Sequence, residues 1–255
     1  MRRTTIVAVA VLLAACNSQS KAGRSPGQDA DASRPSGPAS ATPSPSALVT
    51  PDLAACPARE LLEEGLRQRT RPIPVPPALR VVMRSDMDNF AFSTLGGAIV
   101  CIDASWMERV DNAQLSPDER FVSFDWVGYE AFGHVIVDRS GRGSVLDTGV
   151  QPVVSPSGRL MAAADLSESG YGALNAFAVW QIEPTGLRQL ARHEENPPAT
   201  EWKIERWAGE DCIDLSAVLW NDLADSSEAG DPPRRPYRAR QSKGWRLESG
   251  RCSAG

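Results

Sequence analysis

Short apolar stretches rich in Val, Ile, Phe and Trp alternate along most of the chain with polar, turn-forming residues. Stretches of this length and composition, bounded by turn residues, are typical of β-strands. Thirteen such segments are predicted strands: residues 79–83, 90–95, 97–102, 121–127, 134–138, 143–147, 159–164, 176–182, 187–191, 201–207, 212–219, 237–241 and 245–248. No segment between them has the length of a crossover helix, which indicates antiparallel pairing and an all-β fold.

One helix is predicted ahead of the strands, over residues 57–68. Pro57 suits the first helical turn, where its missing N–H is not needed. Leu61, Leu62 and Leu66 supply an apolar face at helical spacing.

An internal repeat bears on the architecture. The segment SPDERFVSF at 116–124 matches SPSGRLMAA at 155–163. Each copy is followed by a strand, a Gly-containing turn and another strand. The repeat resembles that of β-propellers of the broad WD40-like kind, whose four-stranded blades recur with a period of about 40 residues. The resemblance implies a small β-propeller of about four or five blades, and a β-sandwich with a chance repeat is the alternative.

The chain begins with MRRTTIVAVAVLLAAC, which has the layout of a secretory signal peptide. A basic n-region precedes an apolar run that is too short to span a bilayer. Leu13-Ala14-Ala15-Cys16 resembles the lipobox of bacterial lipoproteins, which implies cleavage before Cys16 and acylation of that residue. An ordinary signal peptide with an incidental Cys is the alternative. Asn17, in place of an Asp that favours inner-membrane retention, implies an outer-membrane anchor facing the periplasm.

Residues 17–47 contain no Val, Ile, Leu, Met or aromatic residue. Such a segment cannot bury enough apolar surface to offset its ordering entropy, which predicts a disordered tether. The predicted organisation is a signal peptide at 1–15, a lipidated Cys with its tether at 16–50, and a folded domain at 51–255. Cleavage removes Arg2 and Arg3 and changes the formal charge from -5 to -7. An acidic protein of this kind is not expected to bind nucleic acid.

Four cysteines remain besides Cys16, an even number in an oxidising compartment, which predicts two disulfides: Cys56, Cys101, Cys212 and Cys252. Three connectivities are open. The pairing Cys56–Cys101 with Cys212–Cys252 is favoured, because each pair then lies within one end of the domain. Each disulfide would stabilise the fold by about 4 kcal/mol in the chain-entropy model. Zinc is the weaker alternative, since the sequence has no CxxC spacing.

Common catalytic motifs are absent: the sequence has no HExxH, no GxSxG and no Walker loop. His134 is predicted to be a strand residue and His193 a solvated loop residue. The run Asp86-Met87-Asp88-Asn89 offers oxygen ligands but lacks the Gly and distant Glu of an EF-hand, so a hairpin turn is predicted instead of a calcium loop. Neither a catalytic residue nor a metal or cofactor is predicted. An enzyme with paired carboxylates stays an alternative, because such pairs leave no sequence pattern.

The two repeat copies differ in the link between their strands. A short link at Gly128-Tyr129-Glu130 in the first copy corresponds to a longer one at 166–174 in the second. Repeat scaffolds often carry function on such insertions. The predicted partner-binding residues are in this link: Ser167, Glu168, Ser169, Gly170 and Tyr171. Tyr171 would be an interface anchor between two glycines, or alternatively would fold back on the domain.

A second charged segment, residues 221–235, is predicted to be a solvated loop. The tryptophans in strand-like runs, Trp126, Trp180 and Trp245, are predicted to be core residues.

The lipobox, the tether, the paired cysteines and Ser169-Gly170-Tyr171 together resemble bacterial immunity lipoproteins that inhibit secreted, lysozyme-like peptidoglycan hydrolases. The resemblance implies a periplasmic, lipid-anchored protein without enzymatic activity that occludes the active site of such a hydrolase. Lysozyme inhibitors use Ser-Gly-x-x-Tyr loops, whereas Tyr171 follows Gly170 directly. An envelope scaffold or assembly lipoprotein that docks other envelope proteins is the alternative, and an enzyme acting from a central funnel is a further one.

Overall fold

Antiparallel strands make up most of the regular structure. The computed structural model describes residues 49–58, 70–129, 131–166, 173–193, 199–225 and 231–253, all within the compact unit Pro43–Gly255. Fifteen strands in these residues form four sheets. Helical structure in the described residues is limited to α1 (Trp220–Asp225) and the 3-10 turns Leu53–Ala55, Pro77–Leu79 and Gln241–Lys243. The predicted all-β class is confirmed. The predicted helix falls mostly on residues 59–69, outside the described ones.

Each sheet is a meander in which neighbours along the chain are also neighbours in the sheet. The first sheet contains β1 (Met83–Ser85), β2 (Asn89–Ser93) and β3 (Ile99–Asp103), and the second contains β4 (Met107–Leu115), β5 (Phe121–Gly128), β6 (Ala131–Asp138) and β7 (Ser144–Asp147). The third contains β8 (Val153–Val154), β9 (Leu160–Asp165), β10 (Ala176–Glu183) and β11 (Gly186–Arg192). The fourth contains β12 (Ala199–Trp207), β13 (Cys212–Leu219), β14 (Arg234–Arg240) and β15 (Arg246–Ser249).

Three apolar clusters join the sheets in chain order. The first lies between the first and second sheets, where the rings of Phe92 and Phe124 stack with centroids 6.3 Å apart. A second cluster joins the second sheet to the third around Trp180, which is 1% exposed. The third joins the third sheet to the fourth around Leu215. The two middle sheets are therefore apolar on both faces.

The internal repeat is visible in the turns that precede β5 and β9. The hydroxyls of Ser116 and Ser155 each accept the backbone N–H five residues later, at 2.8 and 3.2 Å. Glu119 and Gly158 occupy the same turn position with φ of 57° and 72°. The two copies of the repeat therefore form structurally equivalent turns.

Three local predictions need correction. Residues 79–83 are mostly a turn, because Pro77 starts a 3-10 helix there, and strand β1 begins only at Met83. Strands β4 and β8 are missing from the predicted set, because the β4 sequence MERVDNAQL is largely polar and β8 has only two residues. The predicted loop at 221–235 contains most of α1 and the start of β14.

The closed ring of a complete propeller is not formed by the described residues, whose apolar clusters do not join the fourth sheet to the first. The outward face of the fourth sheet carries charged side chains such as Arg206 and Asp214, which form an ion pair at 2.9 Å. That face therefore needs no further sheet to cover it.

Both predicted disulfides are confirmed. Cys56–Cys101 ties the N-terminal segment to strand β3 of the first sheet. Cys212–Cys252 ties strand β13 of the fourth sheet to the C-terminal segment. Each disulfide thus links a terminal segment of the domain to one of the two terminal sheets.

Candidate functional site

The sheets have two ends with different side chains. The repeat end carries the turns at 116–120 and 155–159, which precede β5 and β9. The opposite end, here the link end, carries the connection between β5 and β6 in the second sheet and between β9 and β10 in the third. The link that contains the predicted partner-binding residues starts and ends at the link end, and the candidate residues found in the structure belong to this end as well.

The predicted partner-binding residues lie outside the described residues, as does Cys16: Ser167, Glu168, Ser169, Gly170 and Tyr171. The strand bounds nevertheless show that their link is longer than its counterpart. Strands β5 and β9 begin at Phe121 and Leu160, an offset of 39, whereas β6 and β10 begin at Ala131 and Ala176, an offset of 45. The role of the five residues stays a prediction.

The described ends of this link are held by Asp165. Its Oδ2 accepts the backbone N–H of Ala173 at 2.7 Å. The carboxyl group also lies against Gly149, where an added Cβ would be 1.8 Å from the same oxygen. Leu174 follows Ala173 and is 1% exposed. The link therefore leaves and re-enters the third sheet at fixed points.

Asp165 and Asp147 form an acidic pair beside the link. Burial raises the pKa of Asp165, and the neighbouring carboxylates of Asp147 and Glu201 add to this effect. Protein around the carboxyl group also raises the pKa of Asp147, although the residue as a whole is exposed. Asp147 accepts the N–H of Gly149 at 3.0 Å. Because both carboxyl groups accept backbone hydrogen bonds, we interpret them as residues that shape the link end.

A more exposed feature of the link end is the tip of the β5–β6 hairpin. Among the described residues, the aromatic side chains classed as exposed are all found here: Trp106, Tyr129 and Phe132 are 45%, 67% and 72% exposed. We call these three residues the aromatic tip. Tyr129 lies in the hairpin turn, Phe132 lies near the start of β6, and Trp106 lies in the turn that precedes β4. Exposed aromatic residues in a group are typical of interaction surfaces.

The aromatic tip has a rigid base. Buried Trp126 packs edge-on against Trp106, with centroids 4.3 Å apart and an interplanar angle of 88°. A Cβ at Gly133 would lie 2.8 Å from the Trp126 ring, and a Cβ at Gly128 would lie 2.7 Å from the carbonyl oxygen of Trp106. Gly133 is therefore required for the Trp126 indole to lie against β6, and Gly128 for the backbone at Trp106 to approach the end of β5.

A polar network lies further into the second sheet. Nδ1 of buried His134 is 2.6 Å from Oδ1 of Asp125, and Asn112 donates to Oδ2 of Asp125 at 2.6 Å. Burial by itself raises the pKa of Asp125, but the hydrogen bonds from His134 and Asn112 outweigh it and leave this pKa below its ordinary value. His134 is thus a strand residue, as predicted, and its network fixes β4, β5 and β6 together.

Sequence reasoning treated Tyr129 only as part of a short link and did not select Trp106 or Phe132. A usable signal was present. Trp106, Trp126, Tyr129 and Phe132 are close together in a chain that is 6% aromatic. The local sequence does not show which of these rings are exposed. Trp126 is buried, as predicted, whereas the nearby Trp106 is exposed.

Two small cavities lie next to the sheets. One of about 240 Å³ lies between the third and fourth sheets and is lined by Val150, Gln151, Val153, Ala163, Ala164, Trp202, Lys203 and Ile204. Its lining contains no carboxylate of the kind a hydrolase requires. The other, of about 200 Å³, lies beside the Cys56–Cys101 disulfide and is lined by Pro57, Ala58, Asp88, Asn89, Cys101 and Asp103.

Carboxylates in and beside the second cavity have structural partners. Oδ1 of Asp103, which lines the cavity, accepts the backbone N–H and the hydroxyl of Ser105 at 2.9 and 2.5 Å. Oδ1 of Asp86 accepts the N–H groups of Asp88 and Asn89 at 2.8 and 2.7 Å, which makes the predicted hairpin turn between β1 and β2. Within the described ranges, no group of three or more His, Cys, Asp or Glu residues is arranged to hold a metal ion.

No protein-family model matches the chain, and no curated protein does. None of the helices in the described part of the chain is long and apolar enough to cross a membrane.

Proposed function

We propose that the protein is a lipid-anchored periplasmic binding protein that inhibits a secreted peptidoglycan hydrolase. The aromatic tip is the observation that carries this proposal. Two disulfides support an oxidising compartment outside the cytoplasm. The lipobox at Leu13-Ala14-Ala15-Cys16 supports membrane anchoring through an acylated Cys16.

The four sheets are proposed to be propeller blades in an open array. Their meander topology supports this assignment, as do the equivalent turns at 116–120 and 155–159. A two-sheet sandwich has a single interior, whereas here three successive clusters separate four sheets. In either fold the β5–β6 hairpin extends from the link end.

The proposed mechanism is occlusion of the hydrolase cleft by the aromatic tip. Tyr129 and Phe132 combine a large apolar area with few rotatable bonds, so their burial costs little side-chain entropy. A cleft that is shaped for sugar rings accommodates a flat ring of this size. The surrounding surface would complete an interface of about 1,600 Å², which is ordinary for a tight inhibitor. The formal charge of -7 after cleavage would speed association with a basic hydrolase.

The test is an assay of cell-wall lysis by a panel of lysozyme-like glycosidases and lytic transglycosylases, with and without the mature chain carrying Cys16→Ser. We expect stoichiometric inhibition of at least one hydrolase. Tyr129→Ala or Phe132→Ala should weaken it by roughly tenfold or more, as for interface hot spots. Both side chains are mostly exposed, so the free energy of unfolding should change by less than about 0.5 kcal/mol.

Val81→Ala is the matched control, because Val81 is 61% exposed and precedes β1 at the repeat end of the first sheet. It should leave inhibition unchanged. Tyr171→Ala in the same assay tests the anchor predicted from the sequence. Inhibition that survives both aromatic-tip variants would assign binding to another surface. Absence of inhibition across the panel would favour the envelope-scaffold alternative.

A further inference from the structure

The outward face of the fourth sheet is a charged surface that the proposed function does not use. Side chains alternate across this sheet, so that Leu215 and Ala239 belong to the apolar cluster with the third sheet. Their neighbours point the opposite way, as the ion pair between Arg206 on β12 and Asp214 on β13 shows. We call this surface the arginine face.

Cationic side chains outnumber carboxylates two to one on the strands of this face. The six cations are Lys203, Arg206, Arg234, Arg238, Arg240 and Arg246. The three carboxylates are Glu205, Asp214 and Glu248. The chain as a whole has a formal charge of -5, so this concentration of cations is opposite in sign to the rest of the molecule.

The carboxylates cannot neutralise every cation of the face. Glu248 alone serves both Arg238 and Arg240, at 3.1 and 2.8 Å. Arg234 is held by neutral acceptors instead: its Nε donates to the hydroxyl of Ser216 at 2.8 Å, and its Nη2 donates to backbone carbonyls. A carboxylate that acts on Arg234 is Glu205, which accepts a hydrogen bond from the same Ser216 hydroxyl at 2.6 Å and whose pKa is lowered first by that hydrogen bond and further by Lys203 and Arg234. Glu205 also forms an ion pair with Lys203 at 3.7 Å, so one carboxylate is again shared between two cations.

A like-charged pair adds to this surplus. Arg240 on β14 lies directly opposite Arg246 on β15 in the antiparallel register. Like charges at directly opposed positions destabilise a sheet. Arg246 is exposed and forms no ion pair within the part of the chain that is described. An external anion beside these two guanidinium groups would offset their repulsion.

We propose that the arginine face docks on the anionic bilayer surface to which the chain is anchored, an inference that rests on the proposed lipidation of Cys16. The face is about 15 Å across its four strands. The C-terminal segment covers part of it, because Asp214 accepts the N–H of Cys252 at 2.6 Å and Arg238 donates to the carbonyl oxygen of Arg251 at 3.0 Å. The exposed cations that remain available to a bilayer are Lys203, Arg206, Arg234 and Arg246, and Arg240 is partly exposed opposite Arg246.

Each Lys or Arg close to anionic lipid strengthens binding on the order of fivefold. The predicted tether, with a reach of about 30 Å, keeps the domain at a high effective concentration near the membrane. The arginine face then orients the domain on that membrane.

The experiment measures sedimentation of the mature chain carrying Cys16→Ser with two kinds of vesicle. One kind is pure phosphatidylcholine, and the other contains about one third phosphatidylglycerol. We expect binding to the anionic vesicles to be at least about 25-fold stronger than to the neutral ones, the contribution of two cations at about fivefold each. This binding should disappear at about 0.5 M salt, where the Debye length is shorter than about 5 Å.

The double variant Arg240→Gln/Arg246→Gln should weaken anionic-vesicle binding by roughly 25-fold, the product of two fivefold effects. Arg80→Gln/Arg142→Gln is the matched control: it makes the same change in net charge at two exposed arginines outside the fourth sheet. Equal binding by the two double variants would overturn the proposal, as would equal binding to both kinds of vesicle. Tyr129→Ala should bind vesicles normally, which separates this outcome from a failure of the inhibitor proposal.

Discussion

Gly149 and Gly158 have nearly the same backbone conformation, with φ of 70° and 72°, but different surroundings. A Cβ at Gly158 would meet nothing within 4 Å, whereas one at Gly149 would overlap the carboxyl group of Asp165. Alanine substitutions at these two glycines therefore measure two costs separately. Gly158→Ala reports the cost of a left-handed backbone alone, and Gly149→Ala adds the cost of a close contact at the link end.

We predict that Gly158→Ala lowers the free energy of unfolding by about 1 kcal/mol, the cost of a left-handed non-glycine residue. Gly149→Ala should lose roughly 1–3 kcal/mol more, because Asp165 must move away. Urea unfolding of both variants measures the difference. Equal losses would show that Asp165 relaxes without cost and does not fix the end of the link.

The aromatic tip also shows a limit of what the local sequence predicts about the candidate site. The exposure of Tyr129, Phe132 and Trp106 depends on whether a neighbouring sheet covers each ring, and a local pattern contains no such information. Trp180, within a similar strand-like run, is 1% exposed because the second sheet packs against it. Short apolar stretches between turn residues identify strands, whereas the partner of each face is set by the tertiary structure.

At the scale of elements, charged side chains connect neighbouring sheets at their repeat end. Arg120, in the turn before β5, donates from Nε and Nη2 to the carboxylate of Asp138 at 3.0 and 2.8 Å. Nη2 also donates to the carbonyl oxygen of Glu183 in the third sheet, at 2.6 Å. This contact joins β5, β6 and β10, and both charged groups are largely buried.

We predict that Arg120→Met lowers the free energy of unfolding at pH 7 by about 3–5 kcal/mol, because Asp138 stays buried without its cation. Arg188→Met is the control. Its ion pair with Glu183 is more exposed, so its loss should cost no more than about 1 kcal/mol.

The Arg120–Asp138 ion pair also makes the stability difference between wild type and Arg120→Met depend on pH. Burial alone raises the pKa of Asp138, but Arg120 and Ser140 outweigh it and hold this pKa below its ordinary value of 3.8. A carboxyl group with a lowered folded-state pKa stabilises the fold above its unfolded-state pKa, and this contribution is lost as the pH falls through the folded value. The gap between wild type and Arg120→Met should therefore narrow below about pH 4 in unfolding measurements. A stability difference between wild type and Arg120→Met that stays constant as the pH falls would mean that protonation of Asp138 does not contribute to it.

Elements with a regular apolar pattern were predictable, and those without one were not. Strands β9 and β10 have apolar residues on both faces, and their predicted ranges overlap the observed ones closely. Strand β4 has Glu108, Arg109 and Asp111 in its first half, and its register shifts twice against β5. Bulges move residues from one face to the other, so that an edge strand of this kind has no two-residue period.

At the scale of the whole molecule, the two disulfides lie at opposite ends of an open array. Cys56–Cys101 belongs to the first sheet and Cys212–Cys252 to the fourth, and two further sheets separate them. The terminal sheets each have only one neighbouring sheet to pack against. Cross-links at these positions restrain the two sheets with the least apolar contact.

We predict that replacing either pair by alanines lowers the free energy of unfolding by about 3–4 kcal/mol, because the bridges close segments with sequence separations of 45 and 40 residues. The bridges share no partners, so the quadruple variant should lose the sum of the two effects to within about 0.5 kcal/mol. The two effects can add only if the four sheets unfold together. We expect such cooperative unfolding because each middle sheet belongs to two apolar clusters. Urea unfolding followed by tryptophan fluorescence and by far-UV circular dichroism tests both points. Coincident transitions are expected, and separate transitions in the quadruple variant would show that a terminal sheet unfolds independently of the others.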